Sequence, residues 1–79
     1  MKTKKELNPE LIIGDRVMCL HMDGESSVPM GTNGTVVRII KDPFEDDGKI
    51  IEVKWDNGSS LALISVTDSW IKVDNSSIN

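Results

Sequence analysis

The sequence is short of the residues that most chemistry needs. Its 79 residues include one Cys, one His, one Phe, two Trp and no Tyr. A single Cys excludes an intramolecular disulfide framework. A single His would have to serve any Ser-His-Asp arrangement alone, and none is readable, so no enzyme activity is expected. Phe44, Trp55 and Trp70 are the whole aromatic supply, too few for a cage of converging rings around a methylated cation. Long apolar runs are missing as well. Leu11-Ile12-Ile13 and Leu61 to Ile64 fall far short of the ~20 residues that cross a bilayer. Met1 to Glu6 leads into no apolar segment of the signal-peptide kind, so the expectation is a soluble, cytoplasmic protein. No glycine-rich phosphate loop is present: Gly31, Gly34, Gly48 and Gly58 stand singly at turns. No cofactor is expected.

What is present is a modest apolar fraction and an acidic balance. Hydrophobic residues make up 38% and charged residues 28%, which fits one small domain with a small core, not a disordered chain. Nine Lys and Arg against thirteen Asp and Glu give a net charge of −4. Residues 1–10 read as a flexible tail with Lys2, Lys4 and Lys5 clustered in it. Residues 11–74 form the body, and 75–79 a polar, flexible end.

The body reads as strands. Asp15 to Met22 lies between Gly14 and Asp23-Gly24. Within it Val17, Cys19 and His21 share one face, and Arg16, Met18, Leu20 and Met22 the other. Gly34 to Ile40 is rich in β-branched residues. Ile50 to Asp56 alternates cleanly, with Ile51, Val53 and Trp55 on one side. Asn57-Gly58 predicts a hairpin through a type I′ turn, returning along Ser60 to Leu63. Trp70 to Val73 is a last short strand. No helix-spaced apolar pattern of ten residues occurs. The expected fold is all-β, a small SH3-like barrel of about five antiparallel strands, which leaves no exposed sheet edge. Its expected core is Val17, Cys19, Val36, Ile39, Ile51, Val53, Trp55, Leu61, Leu63, Ile71 and Val73.

Three segments carry a resemblance: Gly14-Asp15-Arg16-Val17, Pro29 to Val36, and Val53 to Leu61 with its Trp-Asp-Asn-Gly-Ser-Ser-Leu core. Together they resemble a family of uncharacterised bacterial and bacteriophage proteins with SH3-like barrels, over residues 13 to 73. More distantly the pattern is similar to KOW and Tudor-type barrels and to the SH3-like repeats of the Mind bomb ubiquitin ligases. The resemblance implies the fold and carries no activity with it.

Cys19 and His21 lie two apart on a strand, about 7 Å by the strand rise and beyond hydrogen-bond reach. Without a base at hand the thiol is no nucleophile, and Cys19 reads as a small core residue. The acidic segment Asp42 to Asp47 fails as a calcium loop. With Gly48 at the invariant glycine, Pro43 falls at the first ligand position and Lys54 at the twelfth. It reads instead as a solvated loop kept flexible by charge repulsion, and no metal is expected. The matches to N-x-[ST] at Asn33, Asn57 and Asn75 read as turn chemistry.

Two binding classes remain. From residue 11 onward six basic residues meet eleven acidic ones, which disfavours nucleic acid. Nucleic-acid or transcription-machinery binding then rests on analogy with KOW-like folds and on the tail Lys2, Lys4 and Lys5. The leading expectation is a protein-interaction module, of the kind a bacteriophage accessory protein would be, binding a host or phage protein. Its candidate surface is Met18, Leu20 and Met22 on the first strand, with Val28, Pro29 and Met30 in the loop after it. Methionine is adaptable and overused at such surfaces. The competing expectation is that the loop folds over the strand and buries these side chains. The same face could also serve a homodimer.

Overall fold

The computed structural model describes residues 7–22 and 28–73. Five strands follow in order: β1 (Arg16–His21), β2 (Asn33–Lys41), β3 (Lys49–Trp55), β4 (Ala62–Ile64) and β5 (Ser69–Val73). They form one antiparallel sheet in the order β4-β3-β2-β1-β5, and no helix occurs among the described residues. Leu63 on one edge strand and Trp70 on the other belong to the same buried cluster, so the sheet curls on itself into a small barrel-like fold. The expected all-β architecture and its strand positions are found.

Two bulges give the sheet its curvature and reset its side-chain phase. β2 shifts register against β3 between Val36 and Arg38, leaving Val37 as the extra residue. An unbroken period of two would put Val36 and Ile39 on opposite faces. The bulge returns both to the core side, with Val36 opposite Val53 and Ile39 opposite Ile51. β1 shifts against β5 between Cys19 and His21. His21 is exposed as a result, and Met22 turns inward at 7% exposure.

The last strand runs in the opposite phase to the one expected. Cys19 lies opposite Trp70, Met18 opposite Ile71 and Arg16 opposite Val73. Directly opposed residues share a face. Trp70 therefore joins Cys19 in the core, at 3% exposure, while Ile71 and Val73 are half-buried on the outer face.

The expected tail is partly built into the barrel. Asn8 sits at φ 52, a left-handed conformation that asparagine tolerates. From there its backbone N–H donates to the Trp70 carbonyl at 2.8 Å, and its Oδ1 accepts from the Trp70 N–H at 2.8 Å. The Trp70 indole N–H donates to the Pro9 carbonyl at 3.1 Å. Residues 8 and 9 thus pair with β5, and Leu11 enters the core.

The turns follow local chemistry. The Trp55 carbonyl accepts from the Gly58 N–H at 3.0 Å, and the Trp55 N–H donates to the Ser59 carbonyl at 3.0 Å. Gly58 has φ 94 while Asn57 keeps a negative φ. That is a type I turn followed by a glycine bulge, not the expected type I′ turn, so only one residue needs positive φ. Between β4 and β5, Asp68 closes one turn: its Oδ2 accepts from the Ile64 N–H at 2.7 Å, and its own N–H donates to the Ile64 carbonyl at 2.9 Å.

Gly34 is required for space. A Cβ there would lie 2.6 Å from Val53 Cγ1, 2.8 Å from Trp55 Cε3 and 2.9 Å from the Lys54 carbonyl oxygen. Gly34→Ala is expected to lose about 1–3 kcal/mol by overpacking β2 against β3. The check is a urea titration, where the midpoint should fall with an unchanged slope. An unchanged midpoint would show that the strands tolerate a methyl group here.

Candidate functional site

The six residues expected to form a binding surface divide into two groups. Met22 and Val28 are in the core, at 7% and 2% exposure, which corrects their assignment to the surface. The β1 bulge turns Met22 inward. Val28 is held close by its carbonyl, which accepts from the Cys19 thiol at 3.6 Å. Met18 and Leu20 stay half-buried on the outer face of β1, and Pro29 and Met30 are exposed.

Local hydrogen bonds place Met30 firmly. The Thr32 N–H donates to the Pro29 carbonyl at 3.1 Å, and Gly31 has φ 95. This is a type II turn, with glycine at the position that demands positive φ and Met30 at its corner. The Gly31 N–H donates to the Cys19 carbonyl and the Cys19 N–H to the Thr32 carbonyl, each at 2.8 Å. The turn is therefore laced to β1, and Met30 projects from it at 72% exposure.

The register of β5 adds residues that sequence reasoning assigned to the core. Ile71 lies opposite Met18, and Val73 lies opposite Arg16. The outer face of β1 and β5 thus carries Met18, Leu20, Ile71 and Val73 side by side. Alternation alone puts Trp70 and Ile71 on opposite faces, and the pairing of Trp70 with Cys19 decides which of them faces outward. Ile12, Ile13 and Val37 are exposed too, at 69%, 64% and 47%. They lie where the Gly14 N–H donates to the Val36 carbonyl, beside the β2 bulge.

The other candidates take structural roles. Cys19 is fully buried, and burial is the main cause that pushes its thiol pKa up, with the Asp68 charge adding to it. The expected core role holds, and His21 points to solvent across the bulge. Asp42 is committed inside its own loop: its Oδ1 accepts from the Phe44 N–H at 2.8 Å, and its N–H donates to the Gly48 carbonyl at 3.0 Å. The loop is therefore closed by hydrogen bonds rather than held open by repulsion. Among the described residues no three His, Cys, Asp or Glu side chains converge on one point.

One charge pair borders the outer face. Arg16 grips Asp56 bidentately, with Nη1–Oδ1 at 3.0 Å and Nη2–Oδ2 at 2.6 Å, and Nη1 also donates to Thr35 Oγ1 at 3.0 Å. The hydrogen bond from Arg16 holds the Asp56 carboxyl below its usual range, and Asp56 in turn raises Arg16. The pair ties β1 to the start of the β3–β4 turn.

Residues 2–73 match the family described as Domain of unknown function (DUF4314). The chain belongs to the DUF4314 family. No curated protein and no solved structure matches it. The geometry of the DUF4314 chain itself therefore carries the functional argument. No described helix is long and apolar enough to cross a membrane.

Two outcomes follow for this site. The folded-state pKa of Asp56 is depressed, so its contribution is present above the ordinary carboxylate range and lost as pH falls through its folded value. Asp56→Asn should lower stability near neutral pH, and its difference from wild type should shrink towards zero in acid. Denaturant titrations across that range check this, and a constant difference would contradict it. Cys19 should resist a thiol-specific alkylating reagent in the native protein and react promptly once denaturant unfolds it.

Proposed function

We propose that this chain is a non-enzymatic protein-interaction module that binds through the outer face of β1 and β5. The observation that supports this reading is the half-buried apolar strip of Met18, Leu20 and Ile71, with Met30 exposed on the turn that is hydrogen-bonded to β1. A held methionine together with half-buried aliphatic residues offers adaptable contact area at low ordering cost. The resemblance to phage-borne SH3-like barrels extends the reading to an accessory protein of a bacteriophage, acting on a host or phage protein in the host cytoplasm. The lack of any activated nucleophile around Cys19 favours binding over catalysis.

Nucleic acid is the weaker alternative. Arg16 is engaged by Asp56, Lys72 by Asp15 at 3.4 Å and Arg38 by Glu52 at 3.9 Å, so these cations are not offered as a row to phosphates. The Lys2, Lys4 and Lys5 cluster lies outside the described residues.

The test is a tagged pull-down from bacterial lysate, treated with nuclease and washed at moderate salt. A stoichiometric protein should be retained. Met30→Asp should reduce its recovery roughly tenfold, the size of one interface anchor. Phe44→Ser, on a distant loop, should leave it unchanged. A partner lost with nuclease, or retained fully by Met30→Asp, would overturn the reading.

A further inference from the structure

Where the curled sheet remains open, a cleft of about 210 Å³ leads into the barrel between the N-terminal segment and β3. Leu11, Ile39, Ile51 and Trp70 form its apolar walls, and Glu10, Asp47 and Lys49 stand at its mouth. A shallower groove of about 400 Å³ continues from it past Ile40, Lys41 and Asp46. The cleft is below the ~300–1,000 Å³ of a drug-sized ligand site, so its scale is that of one long side chain.

The charges around it choose the side chain. Asp15, Glu52 and Asp56 each pair with a cation, and the carboxylates of Asp42 and Asp68 accept backbone N–H groups. Glu10, Asp46 and Asp47 have no such partner among the described residues, and all three are exposed. Along the walls they outnumber Lys41 and Lys49, and Glu45 adds another negative charge on the same loop. An occupant with an aliphatic stem and a cationic head satisfies both parts at once.

We propose that this cleft receives one Lys or Arg side chain from an extended, basic segment of a protein partner. The side chain would lie along the mouth of the cleft, its stem over the apolar opening beside Ile39 and its charged head between Glu10 and Asp47. The flanking residues of that segment would follow the groove past Ile40. Trp70 in the cleft is on the opposite face of β5 from the Ile71 strip, so the two sites stand or fall separately.

The experiment uses the full chain, labelled with ¹⁵N, at about 0.15 M salt, where diffuse attraction is screened. The probes are three capped tripeptides with glycine on either side of arginine, citrulline or glutamate. Citrulline keeps the stem and removes the charge. The Trp70 indole N–H, bonded to the Pro9 carbonyl, reports on the cleft, and the Trp55 indole N–H, bonded to the Leu61 carbonyl, is the internal control. The arginine peptide should shift the Trp70 signal saturably and leave Trp55 in place. Citrulline, and separately the exposed double variant Glu10→Gln, Asp47→Asn, should each weaken binding roughly three- to fivefold, the size of a partly exposed charge pair. The glutamate peptide should not bind. The proposal is overturned if Trp70 does not respond, if citrulline binds as well as arginine, or if the double variant binds normally while retaining the wild-type melting temperature.

Discussion

The cross-strand pairing of Cys19 with Trp70 is the contact on which the rest of the molecule depends. It joins β1 to β5 and sets which side of β5 faces inward. With Trp70 inside, its indole N–H must find an acceptor away from water, because an unpaired buried donor costs about 1–3 kcal/mol. The Pro9 carbonyl supplies it, and Asn8 reinforces the position with two further backbone-directed bonds to Trp70. One register choice therefore anchors the N-terminal segment. It also brings the two edges of the sheet to one core and turns Ile71 and Val73 outward beside Met18 and Arg16.

The strands were legible in the sequence because their signals are local. Alternation marked β3, β-branched residues marked β2, and the Asn57-Gly58 pair marked the turn after β3. Most of the core followed from that reading: Val17, Cys19, Val36, Ile51, Val53, Trp55 and Leu63 are buried. The misread positions depend on register, which local patterning does not carry. A bulge inserts a residue without changing composition, so nothing in the spacing announces that Met22 will turn inward after Leu20. For β5, Trp70 and Ile71 are both apolar neighbours, and only the pairing register decides between them. The place of Asn8 was hidden for a different reason. Its partners lie 60 residues or more along the chain, and no local pattern carries such a contact.

The binding face was legible in part for the same reasons. Met18 and Leu20 were placed outward by simple alternation, and Met30 was picked out as a methionine in the loop after the first strand. Val28 was lost to the core because the loop after β1 packs back onto Cys19. Ile71 was gained because β5 runs in the opposite phase. The acidic loop shows how charge alone misleads. Repulsion among Glu45, Asp46 and Asp47 is mild at the surface, while the Asp42 carboxylate on the Phe44 N–H fixes the start of the loop. The same loop places Asp47 at the mouth of the cleft.

The measurement that tests the account most directly is photo-crosslinking in living bacteria. The photoreactive residue p-benzoylphenylalanine would replace Met30 in one variant and Ile12 in another. Both positions are well exposed, at 72% and 69%, so chance contact is equal and only the location differs. The account predicts one dominant protein adduct at position 30 and none at position 12. An adduct at position 12 without one at position 30 would contradict it, and would move the binding surface to the β2 bulge around Ile13 and Val37.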